Sequence, residues 1–162
     1  MLKCELEAHL NVGSERIGIG EGIGGLFGYG VRLFVGPGVS GATSLGAYPT
    51  FNFNVTGYGG KLVTTPYVHD HEDPAAVLKL AAHENAKIIY FANPDNPMGT
   101  VWPAADVQRF IDAVPDHVML RLDEAYTEFA DVDTRPALAC TRKDIWRFST
   151  FSQSYGLADA RV

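Results

Sequence analysis

The chain has 162 residues, enough to bury one sizeable core, and its apolar share of 46% is that of an ordinary globular protein. Its 13 Lys and Arg stand against 19 Asp and Glu, and the net charge of -6 argues against electrostatic capture of a nucleic-acid backbone. No apolar run approaches the roughly 20 residues that span a bilayer, and Met1-Leu2-Lys3-Cys4-Glu5 lacks the basic-then-apolar order of a secretory signal.

Residues 1–13 carry little signal and are left unassigned. Arg16-Ile17-Gly18-Ile19 reads as a short strand, followed by a glycine run and an apolar helix from about Ile23 to Val35 that Gly36-Pro37-Gly38 stops. A short extended piece near Ser44 to Ala47 leads into Tyr48-Pro49-Thr50 and a brief helix ending near Gly57. Lys61 to Thr65 is rich in β-formers. Asp73-Pro74 has the form of an N-cap with proline at the first helical position, and Val77, Leu78 and Ala81 follow at helical spacing. Lys87 to Phe91 is a buried-type strand. Pro103 opens a helix whose Val107, Phe110, Ile111 and Val114 obey the i, i+3, i+4, i+7 rule. Val118 to Leu122 is a strand ending at Asp123, and Ile145 to Ser149 is the last. This alternation predicts an α/β chain, a mostly parallel sheet with helices on both faces. Ligands of such sheets bind beyond the carboxyl ends of the strands, where the polar motifs of this sequence fall.

Gly20-Glu21-Gly22-Ile23-Gly24-Gly25 formally matches G-x-G-x-x-G between a strand and a helix. A dinucleotide site then wants an acidic residue about 20 positions on, and from Gly22 through His69 there is none. A bare glycine turn at a helix start can still bind a phosphate, or nothing. Asn93-Pro94-Asp95-Asn96-Pro97-Met98-Gly99 places two Asn-Pro pairs after a buried strand, a turn able to aim the Asn96 amide into a site or simply to join strand and helix. Asp123-Glu124-Ala125-Tyr126 puts a carboxylate at a strand end, fit to pair with a cation such as a pyridinium nitrogen or to cap a turn. Thr150 to Arg161 offers hydroxyls and one arginine, a set that suits a phosphate and is also an ordinary polar loop.

Together these motifs resemble the pyridoxal-phosphate (PLP) aminotransferases of fold type I, nearest to histidinol-phosphate aminotransferase. Four blocks stand in that family's order: the glycine loop, Tyr48-Pro49-Thr50-Phe51, Asn93 to Thr100, and Asp123 to Phe129 with Thr150 to Val162. The resemblance implies that residues 14–162 are an incomplete large PLP-binding domain, with the N-terminal arm and the C-terminal small domain absent. It implies that the backbone of Gly22, Ile23 and Gly24 holds the cofactor phosphate, together with Thr150, Ser152 and Arg161. Asn96 and Tyr126 would bond the 3-hydroxyl oxygen, and Asp123 would pair with the ring nitrogen and keep it protonated. The implied substrates are an amino donor and a 2-oxo acid, histidinol phosphate with 2-oxoglutarate leading, ahead of aromatic amino acids or decarboxylation. The intact relative is expected to be a homodimer in the cytoplasm.

Gln153, Asn54 and the glycine block depart from the family pattern, with Ile23, Gly24 and Gly25 standing where the family has serine and acidic residues. Gln153 stands where the family has the lysine that forms the Schiff base and shuttles protons, and a carboxamide does neither. Asn54 occupies the place of the ring that stacks on the cofactor, with Phe51, Phe53 or Tyr58 as substitutes. The expectation is therefore a catalytically incompetent chain, with a non-catalytic PLP-binding or structural fragment as the alternative. His69-Asp70-His71 reads as an exposed turn rather than a metal site. Cys4 and Cys140 suggest no disulfide framework.

Overall fold

The structure is a computed structural model that describes residues 2–131, 133, 135, 136 and 142–160. Five strands form one parallel sheet: β1 (Ser40–Ser44), β2 (Lys61–Thr65), β3 (Ile88–Ala92), β4 (Met119–Asp123) and β5 (Ile145–Phe148), in the order β2-β1-β3-β4-β5. Five helices accompany them: α1 (Leu2–Leu10), α2 (Gly22–Phe34), α3 (Thr50–Gly57), α4 (Pro74–His83) and α5 (Ala104–Ala113). The α/β class with a parallel sheet is as the alternation requires.

The sheet is covered on both faces, and side chains alternate between the two layers as strand geometry demands. On one side, Val77 and Ala81 of α4 and Val107, Phe110 and Ile111 of α5 pack on Ile89, Phe91, Leu120 and Leu122. On the other, Phe27 and Val31 of α2 and Phe51 and Val55 of α3 pack on Ile88, Tyr90, Met119 and Phe148. Strands β1, β3 and β4 are buried along their whole length, which is why they read as continuous apolar or small-residue runs.

Local chemistry sets the element ends. Asp73 caps α4 by accepting from the Ala75 and Ala76 N–H groups, both at 3.0 Å, with Pro74 at the first position. Gly60 must lack a side chain, because a Cβ there would lie 2.4 Å from Val35 Cγ1. Both Asn93-Pro94 and Asn96-Pro97 are cis.

Two expectations need correction. Residues 17–19 form no strand: a single 3₁₀ turn, Ser14–Arg16, precedes an irregular approach to α2. Among the described residues no strand lies beside this stretch to pair with it. The extended piece placed at Ser44 to Ala47 lies earlier, at Ser40–Ser44, because a turn with Gly46 at φ 102° follows at once. Small residues Ser40, Gly41 and Ala42 concealed that strand. Within the stretch that the sequence left unassigned, Leu2–Leu10 is a helix with none of its residues buried.

Candidate functional site

At the carboxyl end of the sheet the chain encloses a cavity of about 270 Å³. Its walls come from five separate stretches: Gly22, Ile23 and Gly24 at the start of α2; Tyr48 and Thr50 after β1; Asn96 after β3; Asp123 and Tyr126 at the end of β4; and Thr150, Ser152 and Gln153 after β5. A neighbouring hollow of about 420 Å³ shares Asn96 and Tyr126 and extends along Pro94, Val101 and Phe129.

The α2 wall carries the Ile23 and Gly24 N–H groups, while the Gly22 N–H is taken up by the Gly20 carbonyl at 2.8 Å. The first residues of any helix lack intrahelical acceptors, and no side chain caps α2 at Glu21. Gly22 adopts φ 82°, a left-handed conformation that favours glycine. A Cβ at Gly24 would meet nothing within 4 Å, so the turn faces open space. Such a terminus concentrates partial positive charge toward the cavity.

Asp123 forms the opposite wall. Its Oδ2 accepts from the Tyr90 hydroxyl at 2.8 Å and its Oδ1 from the Ala125 N–H at 3.0 Å. Burial nevertheless pushes its pKa up to about 6, against which the Tyr90 and Ala125 bonds pull. Tyr126 accepts from Asn96 Nδ2 at 3.2 Å, so the two side chains meet at one edge of the cavity. Thr150 Oγ1 accepts from the Ser152 N–H at 3.0 Å and shapes the last wall.

The turn that presents Asn96 is held from behind. Asn93 clamps Trp102 by accepting from its N–H at 2.8 Å and donating Nδ2 to its carbonyl at 3.2 Å. Asp95, buried, accepts from the Met98 N–H at 3.2 Å and from the Tyr67 hydroxyl at 3.1 Å. Glu72, 1% exposed, accepts from the Ala92 N–H at 2.9 Å. Burial raises the Glu72 pKa to about 8; hydrogen bonding by Ser44 and the Ala92 N–H pulls against it, and the nearby charges of Asp95 and Asp123 add to the rise. Glu124, by contrast, is spent on structure: Arg147 donates to both of its oxygens, at 2.7 and 2.6 Å, tying β5 to the end of β4.

Of the residues singled out in the sequence, Gly22, Ile23, Gly24, Asn96, Asp123, Tyr126, Thr150, Ser152 and Gln153 meet at this cavity. Asn54 does not line it: Nδ2 turns back to donate to the Thr50 carbonyl at 2.8 Å, an i to i−4 bond within α3. Arg161 and Cys140 lie outside the described residues. Among the described residues no group of three potential ligands could hold a metal, and His69 and Asp70 occupy left-handed turn positions. No helix among them is long and apolar enough to cross a membrane. Sequence reading missed Tyr90, Glu72, Asp95 and Arg121. Only Arg121 carried a visible signal, a charge in the middle of a strand otherwise read as apolar.

Comparison with known proteins agrees with this geometry. The chain is 35% identical to a histidinol-phosphate aminotransferase of Anaeromyxobacter sp., over all of this chain and 45% of that protein. It is 32% identical to an aromatic amino acid aminotransferase of Mycobacteroides abscessus, over 99% of this chain and 47% of the relative. The chain thus spans less than half the length of these curated relatives. The crystal structure of histidinol-phosphate aminotransferase from Sinorhizobium meliloti in complex with pyridoxal-5'-phosphate superposes with a TM-score of 0.97 at 49% identity, over 99% of this chain and 44% of that one. The family model for aminotransferase class I and II matches residues 3–162. With the parallel sheet, the cavity at its carboxyl edge and a family match over nearly every residue in agreement, this chain belongs to the class I and II aminotransferases.

Proposed function

We propose that the cavity is a pyridoxal-5'-phosphate site and that the chain is the cofactor-binding part of a histidinol-phosphate-type aminotransferase. The observation that carries the reading is the meeting, in one hollow, of an uncapped glycine helix start and a buried aspartate.

The donor set suits such a group. A phosphate needs N–H groups and hydroxyls, which Ile23, Gly24, Thr150 and Ser152 would supply, with Arg161 added from beyond the described residues. A protonated ring nitrogen needs an ionised partner. Asp123, with a pKa of about 6, is mostly a carboxylate at neutral pH, and a cation opposite it would offset the burial that raises it. Asn96 and Tyr126 would take the phenolic oxygen. Tyr48, 42% exposed and on the cavity wall, is placed to cover a ring where Asn54 is not. When bound, the cofactor supplies the electron sink on which amino-group transfer depends.

What this chain's residues do is bind and orient. Asp123 holds a proton on the ring side, and the Tyr126 hydroxyl is fixed by Asn96. Gln153 reaches the same cavity with a carboxamide, which neither attacks a carbonyl nor shuttles a proton at neutral pH. The proposal is therefore reversible, noncovalent binding by this chain, with amino transfer to a 2-oxo acid belonging to a lysine-bearing counterpart. The intact protein would act as a homodimer, a reading supported by the exposed apolar side chains Tyr29, Leu33 and Phe53 on α2 and α3.

The test is Gln153→Lys. Incubation with pyridoxal phosphate, borohydride reduction and peptide mass mapping should find the pyridoxyl group at position 153 in the variant and at no defined site in the parent chain. Labelling confined to Lys3, Lys61, Lys79, Lys87 or Lys143 would overturn the assignment.

A further inference from the structure

Arg121 has no part in the roles assigned above, yet it is the largest fully buried side chain among the described residues. It lies two residues before Asp123 on β4 and so shares its sheet face. Its guanidinium sits between two rings, 4.5 Å from the Phe27 centroid and 4.6 Å from that of Phe148. Nη1 donates to the Phe27 carbonyl at 2.5 Å and Nη2 to the Leu26 carbonyl at 3.2 Å, both on the early turns of α2, while Nε has no partner. Gly30 makes the space: a Cβ there would lie 2.9 Å from Nη1. Among the described residues no carboxylate comes within ion-pair distance of Arg121.

Packing alone does not call for a charge here. A buried cation without a bonded counter-ion is destabilising, and an apolar side chain of similar volume would fill the slot at lower cost. Burial lowers the Arg121 pKa to about 9, and Asp123 pulls it back up, so the group stays cationic at neutral pH. Asp123 is held down first by the Tyr90 and Ala125 bonds, and Arg121 adds a smaller pull in the same direction. The other groups that act on Asp123 are the Tyr90 hydroxyl from β3, Glu124 of the same segment, ion-paired with Arg147 of β5, and Glu72 from the turn before α4. From α2 and α3 the packed residues are Phe27 and Phe51.

We propose that Arg121 is a positioning residue for the cofactor site: its buried charge keeps Asp123 ionised, and its two hydrogen bonds seat the α2 turns that carry the glycine wall. This rests on the reading of the cavity given above. Asp123 lines the cavity and Arg121 does not. A cation held in the cavity would therefore meet an Asp123 carboxylate that the charge behind it helps keep ionised.

The experiment compares the parent chain with Arg121→Gln, which keeps N–H donors for the α2 carbonyls and drops the charge, and Arg121→Lys, which keeps the charge and drops the fork. The Asp123 carboxyl carbon is followed by NMR across pH in the unliganded chain, with Asp123→Asn identifying the resonance. Its midpoint should rise by about one pH unit in Arg121→Gln and stay near the parent value in Arg121→Lys. Affinity for pyridoxamine 5'-phosphate at pH 7 should fall roughly twofold in Arg121→Gln, the loss of ionised Asp123 that a one-unit rise from about 6 produces. A purely structural arginine would leave the midpoint unmoved in both variants, or move it equally in both, and either result overturns the proposal. If the midpoint moves as expected but the parent chain binds no pyridoxamine phosphate, the coupling of Arg121 to Asp123 stands and the cofactor reading falls. Should Arg121→Gln not fold, Arg121→Met, which also drops the charge, takes its place: a raised midpoint supports the electrostatic role, and an unmoved one rejects it.

Discussion

On the face of the sheet under α4 and α5, β3 and β4 present Ile89, Phe91, Leu120 and Leu122 to an aliphatic and aromatic layer. On the face under α2 and α3 the same two strands present Ile88, Tyr90 and Ala92, and Met119, Arg121 and Asp123. Two neighbouring strands thus carry structure on one side and chemistry on the other, separated by the two-residue period of the backbone. The apolar face draws its stability from burial, at about 25 cal/mol per Å². The α2 face gives up part of that gain to hold a cation, a phenol and a carboxylate out of water, as expected where a site rather than a core is being built.

The contrast can be broken from either side. The largest effect should come from the apolar face: Phe110→Ala removes a ring that packs 4.7 Å from Phe91 and should lose about 3–5 kcal/mol in urea unfolding. Affinity of the remaining folded chain for pyridoxamine phosphate should not change.

Next comes the pH dependence set by the buried carboxyls. Glu72 has a pKa of about 8 in the folded chain against 4.5 for the free side chain. Between those values the folded chain keeps a proton that the unfolded chain has lost. Its contribution to stability is complete below about pH 4.5 and disappears as pH rises through 8. Asp123 acts in the same sense between 3.8 and about 6. The unliganded chain should therefore lose stability steadily from pH 5 to 8, and Glu72→Gln should flatten the slope above pH 6, by an amount on the order of a few kcal/mol. A Glu72→Gln variant with the parent slope would show that Glu72 does not hold this proton. The smallest effect is remote from both faces: Asp73→Ala removes the α4 cap and should cost about 1 kcal/mol in thermal unfolding, with no change in ligand affinity.

The same division explains what the sequence made legible. The α4 and α5 side could be read almost residue by residue, because Val77, Ala81, Val107, Phe110 and Ile111 repeat at helical spacing and Asp73-Pro74 marks a helix start. The strands after Lys87 and before Asp123 were visible as apolar runs. β1 was not, because Ser40-Gly41-Ala42-Thr43-Ser44 is small and polar, and its burial comes from neighbours distant in sequence. At the site, Asp123, Asn96 and the glycine run were accessible because each sits in a local motif. Tyr90, Glu72 and Arg121 were hidden because their roles are nonlocal: Tyr90 meets Asp123 33 positions away, and Arg121 meets the Phe27 carbonyl 94 positions away. Asn54 misled for the complementary reason, since a position in a pattern does not fix where a side chain turns when its own helix offers the Thr50 carbonyl.

The claim on which these readings depend is that one cavity at the carboxyl edge of the sheet receives a phosphorylated pyridine. Calorimetric titration of the 162-residue chain with pyridoxamine 5'-phosphate, beside its Asp123→Asn variant, tests it most directly. The account predicts saturable one-to-one binding by the parent chain, weakened at least roughly tenfold in the variant, which should be no less stable than the parent above pH 6. Binding of equal strength in both, or none in the parent, would contradict it.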